Sequence, residues 1–262
     1  MTHQATAVFL LRDTRNAIAS ITLNRAGERN ALSLDLMREL IGELDSVASD
    51  PDVRAIVLRA SGTAFSSGHN LRELIGRSED EQRAIFDTCT QMMQTLQRVP
   101  QPVIAAVQGV AAAAGCQLVA ACDLAVASTD ATFLTPGVRI GLFCSTPMVA
   151  LSRNIGRKRA LEMLLTGEPI DAATASAWGL VNRVVSPALL DEETFALAER
   201  ISAASSLTVR IGKQAFYRQI EIEQQQAYEY MSETMALNAV TCDAQEGMSA
   251  FLQKRSPVWQ DR

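Results

Sequence analysis

Two short stretches of this 262-residue chain concentrate the residue types that chemistry at a main-chain site requires. The first is Ala64-Phe65-Ser66-Ser67-Gly68-His69-Asn70-Leu71. The second is Gly109-Val110-Ala111-Ala112-Ala113-Ala114-Gly115-Cys116-Gln117. Each crowds small residues where a β-rich run meets a helix. Small side chains let a ligand approach the backbone, and the first amides of a helix have no internal partner. Two such amides aimed at one point make an oxyanion hole, helped by the positive end of the helix dipole. Taken singly, either loop is better explained by close packing of strand against helix.

Side chains that could move protons are scarce. His69 lies inside the first loop, and an imidazole near its ordinary pKa suits proton transfer; otherwise its ring packs and only its amide matters. Cys116 reads as a small buried thiol, and Cys144 has no histidine to serve as its base. Ser145 reads as a helix N-cap. A GxSxG nucleophile motif is absent. With only His3 and His69 in the chain, a multi-histidine metal site is excluded.

The elements that would position these loops follow from hydrophobic spacing. Ala7–Arg12 and Ile18–Leu23 read as a hairpin around a turn at Asp13–Asn16. Ser33 caps a helix whose stripe is Leu34, Met37, Leu40, Ile41, Leu44 and Val47. A strand at Arg54–Arg59 leads into the first loop, and a polar helix runs from about Asp80 to Arg98. The pattern repeats with a strand at Val103–Val107, the second loop opening a short helix, and a strand at Asp123–Ala127. Beyond Ser145 the chain is mostly helical, interrupted by a strand at Val181–Val185. This is an α/β chain, with a core over 1–200 and a helical region over 201–262.

Composition narrows the function. Hydrophobic residues make up 48% and charged residues 20% of the chain, an ordinary globular balance. A net charge of −5 and 5% aromatic residues disfavour nucleic-acid binding. Five cysteines without metal spacing read as reduced thiols. Neither a membrane span nor a secretory signal is evident, so a cytoplasmic location is expected.

In order and spacing, the two loops resemble those of the crotonase superfamily, the enoyl-CoA hydratase/isomerase family. Further similar segments are LNRAGERNALS at 23–33, PVIAAVQGVAAAAGCQLVAACDLAVAS at 102–128, LTGEPIDAATASAWGLVNRVV at 165–185 and QEGMSAFLQKR at 245–255. The resemblance implies a crotonase-type spiral of ββα turns and a C-terminal helical region that trimerises, giving a homotrimer or hexamer. Val240, Met248, Phe251 and Leu252 are its expected apolar contributors. It implies an acyl-CoA thioester as ligand, with CoA part of the substrate and no separate cofactor.

Carried over residue by residue, the oxyanion amides fall on His69 and Ala114. The two family glutamates fall on Gln117 and Gly137, neither of which exchanges a proton. One missing acid or base forfeits about 10²–10⁴ in rate, so weak hydration is expected. Gln117→Glu with Gly137→Glu should restore rate, with the backbone conformation of Gly137 as the obstacle. The family's naphthoate synthases also carry glycine at the second position and recruit bicarbonate, and Thr135 with Gly137 would offer a comparable anion site. Main-chain groups around Ser67, Gly68, His69 and Leu71 would hold adenine, Arg25 or Arg29 the phosphates, and Phe251 and Lys254 would reach a neighbouring subunit's CoA. Asp123 looks structural. The competing functions are a CoA-thioester lyase or isomerase, a non-catalytic acyl-CoA-binding or regulatory protein, and a structural oligomer.

Overall fold

The computed structural model describes residues 8–262. In chain order its elements are β1 (Leu10–Arg15), β2 (Ile18–Leu23), α1 (Leu34–Ala48), β3 (Ala55–Ala60), β4 (Ala64–Ser66) and α2 (Glu79–Arg98). There follow β5 (Val103–Val107), β6 (Val110–Ala112), α3 (Ala114–Ala121), β7 (Leu124–Ser128), β8 (Thr132–Leu134), α4 (Ser145–Asn154) and α5 (Arg157–Thr166). The rest is β9 (Ile170–Asp171), α6 (Ala172–Trp178), β10 (Arg183–Val185), α7 (Leu190–Ser202), α8 (Ser206–Gln219), α9 (Gln224–Ala239) and α10 (Cys242–Leu252).

Strands β3/β4, β5/β6 and β7/β8 each split between two sheets before the chain enters a helix. One sheet has the order β1-β2-β3-β5-β7-β10 and the other β4-β6-β8-β9. Pairing along the repeats is parallel, and the antiparallel strand pairs among the described residues are β1/β2 and β8/β9. Three stacked ββα turns result, the spiral that the family resemblance implied. The central strands β2, β3, β5 and β7 of the six-stranded sheet are buried on both faces, by α1 and α2 on one side and α7 on the other. That is why its central strands are almost continuously apolar.

Local details account for shifts from the sequence-derived boundaries. The hairpin turn is Asn16-Ala17, both at positive φ, so Asp13–Arg15 belong to β1; the Ala7 end of the expected strand lies outside the described residues. Ser33 does cap α1, accepting the Leu36 amide at 3.2 Å. The second loop contains a strand, β6, hidden in sequence because its side chains are all small. Ser145 is not an N-cap: Cys144 precedes α4, and the Ser145 hydroxyl instead points to the Phe143 carbonyl at 3.4 Å.

The helical tail is tied to the core by a buried ion pair. Lys213 on α8 donates to Asp123 at 2.7 Å and to the Leu96 and Gln101 carbonyls, each at 2.8 Å. Asp123 also accepts from Tyr217 at 2.8 Å and from the Val103 amide at 2.6 Å. Burial pushes the Asp123 carboxyl up and the Lys213 ammonium down, and their attraction opposes both shifts. Asp123 is structural, as expected, and joins the start of β7 to the tail. The expected boundary at residue 200 falls inside α7, which continues to Ser202.

Candidate active site

The two small-residue loops meet. Gly68 has φ +87°, and a Cβ there would stand 2.8 Å from the Ala112 carbonyl oxygen and 3.2 Å from the Ala114 nitrogen. Segment 29–33 fixes the first loop. Ser67 N–H donates to the Arg29 carbonyl at 3.0 Å, Leu32 N–H to the Gly68 carbonyl at 2.8 Å, and Asn70 N–H to the Leu32 carbonyl at 3.2 Å. Gly68 N–H donates to the Ser66 hydroxyl at 3.2 Å, so the amides on either side of His69 are used, while its own has no backbone acceptor among the described residues. Ala114 opens α3, so its amide has no intrahelical partner. Ala113 before it sits at φ 49°, ψ −117°, an unusual conformation for a residue with a side chain. Two orphan amides and a helix N-terminus therefore border one cleft of about 350 Å³.

The cleft wall carries no carboxylate among the described residues. It includes Ser67, His69, Leu71, Ala113, Ala114 and Gly137 from the sequence reading, together with Phe86, Leu142 and Phe143, which that reading missed. Phe86 could have been found: it lies one turn before Thr90 and Cys89, on the inward side of α2. The exposed apolar residues of the 140–143 loop gave no comparable signal.

His69 is a poor substitute acid. Its ring stacks edge-on against Phe86 with centroids 5.3 Å apart, and both ring nitrogens are buried without partners. Burial lowers its pKa to about 4, against a smaller upward pull from the Leu32 carbonyl, so the ring is neutral at pH 7. The thiol of Cys116 is pushed up to about 12 by burial, and that of Cys144 is raised for the same reason.

Gly137 has no room for the glutamate of the family pattern. A Cβ would stand 1.9 Å from the Leu142 carbonyl oxygen and 2.9 Å from the Cys144 sulfur. The obstacle is thus the folded-back 140–144 loop, and not the backbone conformation expected from sequence. Thr135 is unavailable for an anion site, since its buried hydroxyl donates to the Met163 carbonyl at 2.9 Å. Gln117 does not line the cleft itself: only 4% exposed, with an unpartnered Oε1, it lines an adjoining hollow that shares Thr146 with the cleft.

The expected CoA contacts divide. The Ser67 amide is consumed by Arg29, so it cannot serve adenine. Arg25 is engaged with Glu28 and lies over the Phe9 ring at 5.1 Å, whereas the exposed Arg29 side chain makes no ion pair among the described residues. Phe251 is 81% exposed on α10 and, with Lys254 just beyond it, lines no wall of the cleft within one chain.

Fold and site together define a crotonase-type protein, and the enoyl-CoA hydratase/isomerase family model matches residues 13–262. The chain belongs to that family. Enoyl-CoA hydratase domain-containing protein 3, mitochondrial, of Xenopus laevis is 49% identical over 93% of this chain and 83% of its own length. The 2,3-dehydroadipyl-CoA hydratase of Escherichia coli is 34% identical over 97% of this chain and 99% of its own. The crystal structure of an enoyl-CoA hydratase from Mycobacterium smegmatis superposes with a TM-score of 0.94, at 49% identity, covering 97% and 99% of the two chains. No helix among the described residues is long and apolar enough to cross a membrane.

Proposed function

We propose that this chain binds acyl-CoA thioesters and polarises their carbonyl through the His69 and Ala114 amides, with only weak hydratase or isomerase turnover. The observation that carries this reading is the contact of Gly68 with Ala112 and Ala114, which aligns two unpaired amides on a cleft without an acid. The thioester oxygen accepts from both N–H groups. As the α-carbon becomes carbanionic, the oxygen gains charge, and the same donors with the α3 dipole stabilise the enolate. CoA enters as part of the substrate, and no separate cofactor is needed.

The remaining steps lack a proton carrier. Gln117 Oε1 can accept a hydrogen bond from water or a hydroxyl, but an amide neither activates water as a base nor returns a proton to carbon. That absence favours a second reading, a non-catalytic acyl-CoA-binding or regulatory protein. Turnover separates the two. Binding itself is tested by thermal unfolding with acyl-CoA: ligand at 100 times its Kd adds about 2.7 kcal/mol of stability, and no shift with any acyl-CoA at millimolar concentration removes both readings.

The assembly we propose is a trimer or dimer of trimers. Helix α9 buries none of its residues within one chain, and Val240, Phe251 and Leu252 are 73%, 81% and 81% exposed. With Tyr228, Met235 and Leu237 of α9 exposed as well, these apolar side chains are the surface such an assembly would cover.

A further inference from the structure

The cleft does not end at the oxyanion amides. Three helices each wall both it and the neighbouring hollow of about 400 Å³. On α2, Phe86 faces the cleft and Gln97, three turns on along the same side, faces the hollow. On α3 the two positions are Ala114 and Gln117. On α4, Thr146 borders both spaces and Arg153 only the hollow. The two spaces adjoin at Thr146, and the hollow continues along α4 to Arg153, about 10 Å at the helical rise.

Its far end differs in chemistry from its start. The cleft is almost wholly apolar, whereas Gln117 brings a buried amide with an unpartnered oxygen to the hollow. Arg153 is the one cationic side chain on either wall among the described residues. Its guanidinium holds Glu221 by two bonds, at 2.9 and 3.4 Å, and both partners are about half exposed. Such an exposed pair is easily exchanged. The other carboxylate on the wall, Asp123, is already neutralised by Lys213 at 2.7 Å, so a second anion meets little repulsion there.

We propose that the cleft and the hollow act as one trough for acyl chains ending in a carboxylate, that Arg153 selects them, and that Glu221 occupies the guanidinium until such a chain arrives. The planar fork that now pairs with Glu221 fits a ligand carboxylate in the same bidentate way. An extended chain advances about 1.2 Å per bond, so the 10 Å run suits a dicarboxylic mono-CoA thioester of about eight carbons. This inference rests on the acyl-CoA reading above and assigns its substrate class.

The test is calorimetric titration of the full chain with octanoyl-CoA and with its eight-carbon ω-carboxy counterpart. The wild type should bind the carboxylated thioester about tenfold more tightly. Arg153→Gln should abolish that preference without weakening octanoyl-CoA, and Glu221→Gln, which frees the guanidinium, should widen it. Equal affinities in the wild type, or a preference that survives Arg153→Gln, overturn the assignment while leaving acyl-CoA binding intact. If neither thioester binds, the acyl-CoA reading fails and this inference with it.

Discussion

A Cβ added to Gly68 would stand 3.2 Å from the Ala114 amide nitrogen, so the two halves of the proposed oxyanion hole meet at a residue that must lack a side chain. Gly68→Ala adds that atom at φ +87° and drives it to 2.8 Å from the Ala112 carbonyl oxygen. We expect it to destabilise the fold by about 1–3 kcal/mol in urea unfolding. In the folded fraction it should separate the His69 and Ala114 donors and weaken acyl-CoA binding. Wild-type stability with wild-type affinity would show that the loops do not depend on this contact.

His69 makes the fold sensitive to mild acid. Its imidazole titrates near 6.5 when unfolded and at about 4 when folded, because burial disfavours the charged ring. Between those values the unfolded chain binds more protons, so stability falls as pH drops from 6.5 towards 4. The loss reaches about 3 kcal/mol at the bottom of the window. Unfolding free energies at pH 7 and pH 4.5 should show it, and His69→Leu should flatten that part of the profile. An unchanged slope in the variant would place the sensitivity elsewhere.

The ion pair between Lys213 and Asp123 should be the strongest single attachment of the helical tail. Lys213→Met leaves a buried carboxylate and the Leu96 and Gln101 carbonyls without their donor. We expect a loss of about 3–5 kcal/mol, measurable by chemical denaturation. A loss below about 1 kcal/mol would mean that the tail docks through its apolar contacts alone.

Sedimentation velocity at micromolar concentration should give a trimer or hexamer, with α9 and α10 protected from hydrogen exchange. A monomer would leave Val240, Phe251 and Leu252 exposed in solution and contradict the proposed assembly.

Much of this molecule is legible in the sequence where chemistry and spacing coincide. The α1 stripe from Met37 to Val47, the Ser33 cap and the structural use of Asp123 follow from local rules, and all three are seen. The convergence of His69 and Ala114 follows from loop composition only when joined to a family resemblance, because nothing local tells two distant loops to meet. Three features depend on tertiary contacts that no local pattern encodes. The 140–144 loop folds over Gly137, Thr135 spends its hydroxyl on Met163, and Gln117 turns into the neighbouring hollow. Strand β6 escaped detection because Val110-Ala111-Ala112 offers no alternation in side-chain size or polarity.

The packing at Gly137 separates the two carboxylate restorations. Gln117→Glu places an acid at an existing buried side chain and should raise hydration of crotonyl-CoA. Gly137→Glu must displace the Leu142 carbonyl, which its Cβ would approach to 1.9 Å, so it should destabilise the chain and give little gain even in the double variant. A soluble, wild-type-stable Gly137→Glu protein would show that the 140–144 loop moves more readily than its packing implies.

The central claim is that the thioester hole is kept while the proton carriers are gone, and hydration of crotonyl-CoA by the wild-type chain tests it most directly. Turnover and affinity should be measured on the same preparation, beside a family member that has both glutamates. The account predicts retained binding with turnover lower by at least about 10²–10⁴, the cost of one missing acid or base. Turnover equal to that of the two-glutamate enzyme would contradict it, and would require a proton carrier at the cleft other than His69, Gln117 or Gly137.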